Sequence, residues 1–253
     1  MSAKRGIYVA PFDELVDPRT VADLAERAEE LGWDGFFLWD HIIYRPPVQA
    51  VADPWIALAA IACQTERLRI GPLVTPLARR RVQKLARETV TLDHLSGGRL
   101  TLGVGLGGDQ NGEFGPFGDP ADPRERARLL DTGLERLSEF WAREFQPTPV
   151  QQPRIPVWVA GRWPNRRPLQ RAAHWDGFFP IDLERADDLA AFAAEIRDLQ
   201  TGRSEPFDLV TEIPPGGDPR PWETAGATWV LTGSTETPPR LDEVRAVIEA
   251  GPR

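Results

Sequence analysis

A closed barrel of eight parallel strands, each followed by a helix, is the fold this sequence predicts. Apolar strand-length runs alternate with amphipathic helical segments along the whole chain. Three of those helices open on Asp-Pro, at Asp17-Pro18, Asp53-Pro54 and Asp122-Pro123, a side-chain cap followed by a residue suited to the first helical position. The length, 253 residues, is the usual size of one such barrel. An open doubly wound sheet is the competing arrangement, but it rarely uses eight such even units.

Gly6–Ala10 reads as the first strand, and Val21, Leu24, Ala25, Ala28 and Leu31 mark the buried face of the helix after Asp17. Gly35–Trp39 is the second strand. Leu68–Thr75 is the third, followed by a helix over Val82–Leu95 that stops at Ser96-Gly97-Gly98. Leu100–Val104 is the fourth strand. Leu130, Leu134, Leu137 and Trp141 then face inward from the helix opened by Asp122. Pro156–Ala160 is the fifth strand, with a short helix over Asn165–Trp175, and Gly177–Ile181 is the sixth. Leu189, Phe192, Ala193 and Ile196 mark the next helix. Phe207–Ile213 and Ala227–Thr232 complete the strands, and Leu241–Glu249 is the last helix. Pro147, Pro149, Pro153 and Pro156 mimic a linker, but the barrel pattern resumes after them, so residues 1–253 read as one domain.

Hydrophobic residues make up 41% and charged residues 27%, enough for a core and a hydrated surface. The net charge of −8, with no basic cluster, argues against nucleic acid and anionic membranes as partners. No apolar run is long enough to cross a bilayer, and the start enters a strand without a signal-peptide pattern. Cys63 is the single cysteine, which excludes a disulfide within the chain and a cysteine-based zinc site. Its apolar surroundings suggest a buried, inert thiol, and the cytoplasm is the expected location.

Barrel active sites lie at the C-terminal ends of the strands. That rule selects Pro11, Phe12, Asp40, His41, Leu73–Thr75, Gly105–Asp109, Gly161–Arg167, Asp182, Glu212 and Gly233-Ser234. His41 stands out, since an imidazole moves protons near neutral pH. Asp40 beside it either tunes that proton or caps a loop. His94 and His174 fall on outer helices and read as structural. Gly103, Gly105, Gly107 and Gly108 let backbone approach a flat or phosphorylated ligand, or simply make a tight turn. Their GVGLGG run lacks the spacing and position of a dinucleotide fingerprint. Gly161–Arg167 (GRWPNRR) brings three arginines to a helix start, a setting for an anion. Arg79-Arg80-Arg81 reads as a solvated basic run. Metal-ligand spacing and a G-x-S-x-G nucleophile elbow are both missing from the sequence.

Asp40-His41, Leu68–Pro76 (LRIGPLVTP), Leu92–Leu100 (LDHLSGGRL) running into Leu102–Gly105, and Pro156–Pro180 together resemble the luciferase-like monooxygenase superfamily. The resemblance implies a barrel holding reduced FMN, or the deazaflavin F420, at its C-terminal mouth. The chemistry it implies is monooxygenation or hydride transfer on a small organic substrate. By motif, Leu73–Val74 matches a non-proline cis peptide that supports the isoalloxazine ring; Gly105, Leu106 and Gly107, at the glycine-rich strand end, are the further cofactor-binding candidates. His41, beside Asp40, matches the proton-transfer or positioning histidine, and Gly161 and Arg162 match the phosphate turn, where Arg166 adds charge. Two departures stand out: Leu73 is bulkier than the residue relatives carry, and the stretch between Phe140 and Pro156 is too short for their extra hairpin. A more open site would suit FMN delivered by a separate flavin reductase. F420-dependent hydride transfer and a flavin-binding barrel without turnover are the alternatives, and a second copy of the chain is a candidate partner.

Overall fold

The computed structural model describes residues 2–162, 164–201, 205–234 and 237–252. Among these residues, nine parallel strands form one nearly closed barrel: β1 (Lys4–Val9), β2 (Gly35–Leu38), β3 (Arg69–Pro72), β4 (Thr75–Pro76), β5 (Leu102–Gly105), β6 (Val157–Arg162), β7 (Gly177–Ile181), β8 (Asp208–Ile213) and β9 (Trp229–Gly233). They are ordered β3-β2-β1-β9-β8-β7-β6-β5-β4. The helices are α1 (Pro18–Glu30), α2 (Pro54–Gln64), α3 (Val82–Leu95), α4 (Pro123–Glu139), α5 (Arg167–Ala172), α6 (Ala186–Leu199), α7 (Arg220–Thr224) and α8 (Leu241–Glu249).

The expected barrel is therefore present, with one correction. The third strand is split into β3 and β4, because the Leu73–Val74 peptide is cis and leaves the ladder. There the Leu73 amide donates to the carbonyl of Leu38 (2.7 Å). β3 pairs with β2, β4 pairs with β5, and a parallel bridge from Ile70 to Leu100 draws the two edges together.

Each Asp-Pro start caps as its chemistry requires. Asp17 accepts from the Arg19 amide, Asp53 from the amides of Trp55 and Ile56, and Asp122 from the Arg124 amide. Strand alternation sorts the core into two layers. Ile7, Phe36, Val157, Leu209 and Val230 face the helices, whereas Tyr8, Phe37, Trp158, Phe179, Val210, Trp229 and Leu231 fill the barrel. Phe37, Trp158 and Trp229 meet with ring centroids 5.2–5.6 Å apart, which plugs the interior below the mouth.

The segment that most specifies the family resemblance is structural. Asp93 accepts from the amides of Val150 (2.8 Å) and Gln151 (3.1 Å) and from Gln151 Nε2 (2.8 Å). Arg99 donates to carbonyls of Ala62, Thr65, Leu68 and Ser96. These contacts lock the end of α3 at the base of the barrel, away from the strand ends that would carry chemistry. Residues 145–156 run without a strand to β6, in keeping with the short connection expected.

Two further expectations are corrected. Cys63 is exposed, because its place on α2 turns it away from the face that buries Leu58, Ile61 and Ala62. The helix expected over Asn165–Trp175 is shorter, Arg167–Ala172, and Trp163 lies outside the described residues. No helix is long and apolar enough to cross a membrane among the described residues.

Candidate active site

All strands are parallel, so the residues just beyond β2, β4, β5, β6, β8 and β9 collect at one end. His41, the Leu73–Val74 peptide, Gly105–Gly107, Gly161 and Arg162 share that end, as the strand-end rule requires.

His41 Nδ1 lies 2.8 Å from Glu113 Oε2. Glu113 is 1% exposed and was not among the residues singled out from sequence. It also accepts from the Ile42 amide (3.0 Å) and from Arg79 Nη1 (3.0 Å). A carboxylate held this way accepts only, so the proton between the two groups belongs on Nδ1. His41 Nε2 is then the nitrogen open to a ligand, with the side chain 25% exposed.

The basic run is not the solvated face expected for it. Arg79 is 3% exposed at its side chain and joins Glu113 to Asp40, donating to Asp40 Oδ1 at 2.8 Å and to the Asp40 carbonyl at 2.5 Å. Arg80 donates to both Asp40 carboxylate oxygens (3.0 and 2.8 Å), and only Arg81 points outward. The physical reason is that Asp40 needs neutralising where it is buried. Burial pushes its carboxyl up, but the Arg80 and Arg79 guanidiniums, with the Thr75 hydroxyl, hold it below the usual carboxylate range. Asp40 also accepts from Trp55 Nε1 (3.3 Å) and Thr75 Oγ1 (2.8 Å). It thus ties the ends of β2 and β4 together, and its geometry is that of an anchor for Arg79.

The wall beside His41 is aromatic. Tyr44, Trp39 and Phe12 approach its ring at 4.9, 5.8 and 6.0 Å between centroids. Tyr8 lies 5.7 Å from Trp39, and its hydroxyl donates to the Leu73 carbonyl (2.9 Å), at the cis peptide itself. The indole Nε1 of Trp39 is buried and has no hydrogen-bond partner among the described residues.

The glycines of the fourth expected strand serve the chain's own packing. A Cβ on Gly103 would fall 2.3 Å from Leu73 Cδ2, and one on Gly105 would fall 2.8 Å from Val74 Cγ2. Leu73 is buried where a smaller residue was the family expectation, and Gly103 supplies its space. Gly107 has φ +67°, in the left-handed region, with Phe114 and Pro76 against it. Leu106 packs onto the outer core.

Gly161 is explained by close packing, since a Cβ there would meet Pro168 Cβ at 2.3 Å. Arg162 and Arg166 are both exposed and already paired, Arg162 with Asp182 and Arg166 with Glu195. A phosphate arriving at this turn would have to take over one of those guanidiniums. Among the described residues no group of three His, Cys, Asp or Glu side chains could hold a metal.

The sequence model of the luciferase-like monooxygenase family matches residues 5–215. An uncharacterized protein of Mycobacterium tuberculosis is 31% identical over 218 residues, 78% of this chain and 74% of that protein. The 4-hydroxyprotoasukamycin monooxygenase of Streptomyces nodosus subsp. asukaensis is 34% identical over 138 residues, 52% of this chain and 36% of that one. Among solved structures, an F420-dependent secondary alcohol dehydrogenase in complex with an F420-acetone adduct superposes with a TM-score of 0.81 at 15% identity, covering 100% of this chain and 98% of its own. The chain belongs to the luciferase-like monooxygenase family. That family comprises oxidoreductases and monooxygenases, and its members include both FMN-dependent and F420-dependent enzymes.

Proposed function

We propose that residues 1–253 form one barrel domain that acts as an FMN-dependent oxidoreductase of the monooxygenase type on a small organic substrate. The observation that carries this reading is the His41–Glu113 hydrogen bond at the barrel mouth, on the same rim as the Leu73–Val74 peptide. The donor set suits a flat, acceptor-rich ring. Trp39 Nε1 is buried without a partner among the described residues, and Tyr8, Phe12 and Tyr44 supply aromatic walls. Arg162 and Arg166 supply positive charge for a phosphate.

A bound reduced flavin would supply reducing equivalents, or activate O₂, at this rim. The chain's own residues bind and position. Tyr8 fixes the Leu73 carbonyl, Asp40 holds Arg79 against Glu113, and Glu113 orients His41 so that Nε2 can take or give a proton to the substrate. In this reading Asp40 is a positioning residue and His41 is the catalytic one. Rim contacts to the ring would come from Leu73, Val74, Gly105, Leu106 and Gly107, and contacts to the phosphate from Gly161, Arg162 and Arg166. A separate reductase would deliver the reduced flavin.

F420-dependent hydride transfer is the second reading, favoured by the end-to-end superposition on the F420-dependent alcohol dehydrogenase. Calorimetric titration with FMN, reduced FMN and F420 tests both. Reduced FMN bound tightly and F420 weakly supports the first reading, and the reverse supports the second. Failure of all three to bind overturns both.

A further inference from the structure

On the wall formed by β7, β8 and β9, one inward side chain lacks a partner. Leu209 and Ile213 of β8 face the helices, and Val210 faces the barrel interior, so Glu212 turns inward at the last layer before the mouth. Gly233 on the neighbouring strand makes room for it: a Cβ there would lie 2.3 Å from Glu212 Oε1. The Glu212 carboxyl accepts no hydrogen bond among the described residues. A cavity of about 300 Å³ opens at these strand ends, lined by Pro180, Asp182, Thr211, Glu212, Gly233 and Ser234.

Few charged or titratable groups face Glu212. Asp182 follows β7 and is ion-paired with Arg162 at the end of β6. Tyr8 on β1 has already committed its single proton to the Leu73 carbonyl. Phe179 and Leu231, deeper on the inner wall, are apolar. Burial, and then the charge of Asp182, push the Glu212 carboxyl up to about 7. Below neutrality Glu212 therefore presents an O–H with no acceptor among the described residues; the Thr211 hydroxyl is also without a partner there, but strand alternation sets it on the side facing the helices.

We propose that Glu212 is a specificity-determining residue of the barrel mouth: its carboxylic O–H donates to an uncharged acceptor oxygen, such as a ketone or amide carbonyl, and excludes carboxylate ligands. A carboxylate seated there would face Glu212 and Asp182 together in poorly solvated surroundings. An ammonium ligand is the less favoured occupant, because it requires Glu212 to ionise in an apolar wall while Arg162 already answers the charge of Asp182. The inference rests on the mouth being the ligand site, as proposed above, and adds which ligands it admits.

The test is ligand-observed NMR with cyclohexanone, cyclohexanecarboxylate and cyclohexylamine at pH 6 and pH 8.5, on the parent protein, Glu212→Gln and Glu212→Leu. With a group titrating near 7, the protonated fraction falls by roughly thirtyfold between those pH values, so cyclohexanone should bind roughly thirtyfold more weakly at pH 8.5. Cyclohexanecarboxylate should bind at neither pH. Glu212→Gln keeps an N–H donor and should bind the ketone equally at both, whereas Glu212→Leu should lose it at both. The proposal is overturned if the ketone fails to bind at pH 6, if its pH dependence survives in Glu212→Gln, or if the amine or the carboxylate is preferred. The parent's own pH dependence and ligand ranking decide the matter should either variant fail to fold. The cofactor reading is independent of these arms. Flavin binding with a pH-blind ketone site rejects Glu212 alone, and a pH-linked ketone site without flavin binding rejects the cofactor alone.

Discussion

Replacing Asp40 with Asn isolates the anchor beneath the candidate site. The carboxylate accepts from Trp55 (3.3 Å), Thr75 (2.8 Å), Arg79 (2.8 Å) and Arg80 (3.0 and 2.8 Å). Asparagine keeps the shape and one acceptor oxygen, but it loses the charge and offers an N–H₂ to a set of partners of which only the Thr75 hydroxyl can accept. Removing one partner of a buried pair costs about 3–5 kcal/mol. Arg79 keeps Glu113, and the Arg80 side chain is 19% exposed, so the lower end, about 3 kcal/mol, is expected. For a chain of this size that corresponds to a fall of roughly 6–12 °C in melting temperature. Urea unfolding at pH 7, with the slope unchanged, measures the loss directly. The pH dependence follows from the sign of the perturbation. Asp40 is held below its ordinary value, so its contribution is present above the unfolded-state carboxylate range and is lost as pH falls through the depressed folded value. The gap between parent and variant should stay constant above about pH 5 and close below about pH 4. A variant melting within about 1 °C of the parent, or a gap that widens on acidification, would refute the account of Asp40 as an anchor.

Three other outcomes follow from the same geometry. Glu113→Gln should lower the rate of cofactor reoxidation by roughly tenfold to a hundredfold in stopped-flow measurements with little change in cofactor binding, and His41→Ala added to it should cost little more; additive losses would separate the two residues. Arg162→Ala should weaken FMN binding by roughly tenfold to a hundredfold while leaving riboflavin, which lacks the phosphate, unchanged; equal losses for both ligands would remove the phosphate from this turn. Gly71→Ala should leave little soluble protein, because its Cβ would fall 1.9 Å from the Thr101 carbonyl, and a variant that melts within a few degrees of the parent would show that this backbone contact can relax.

Much of the fold was legible because its signals are local. The Asp-Pro caps, the stop at Ser96-Gly97-Gly98 and the strand Gly177–Ile181 depend on residues within a few positions of one another. The cis bond at Leu73–Val74 came from family resemblance, and the split it makes in the third strand had no separate signal. Glu113 escaped because it sits in an irregular loop 72 residues from the histidine it meets; an acid beside the glycine-rich loop after the fourth strand was the only hint. Arg79 and Arg80 were misread for the same reason. A run of like charge is usually solvated, and nothing within it reveals a buried carboxylate 39 and 40 residues away.

Sequence alone thus determined the alternation of strand and helix, and with it which residues reach the open end of the barrel. Periodicity and capping are properties of neighbours along the chain, and parallel strands bring their C-terminal ends together whatever the loops do. Only the tertiary structure decided that Asp40 is buried between two arginines, that Glu113 orients His41, and that Gly233 opens space for an unpartnered Glu212. The burial and charge pairing of a side chain depend on groups far away in sequence, and those become neighbours only when the barrel closes.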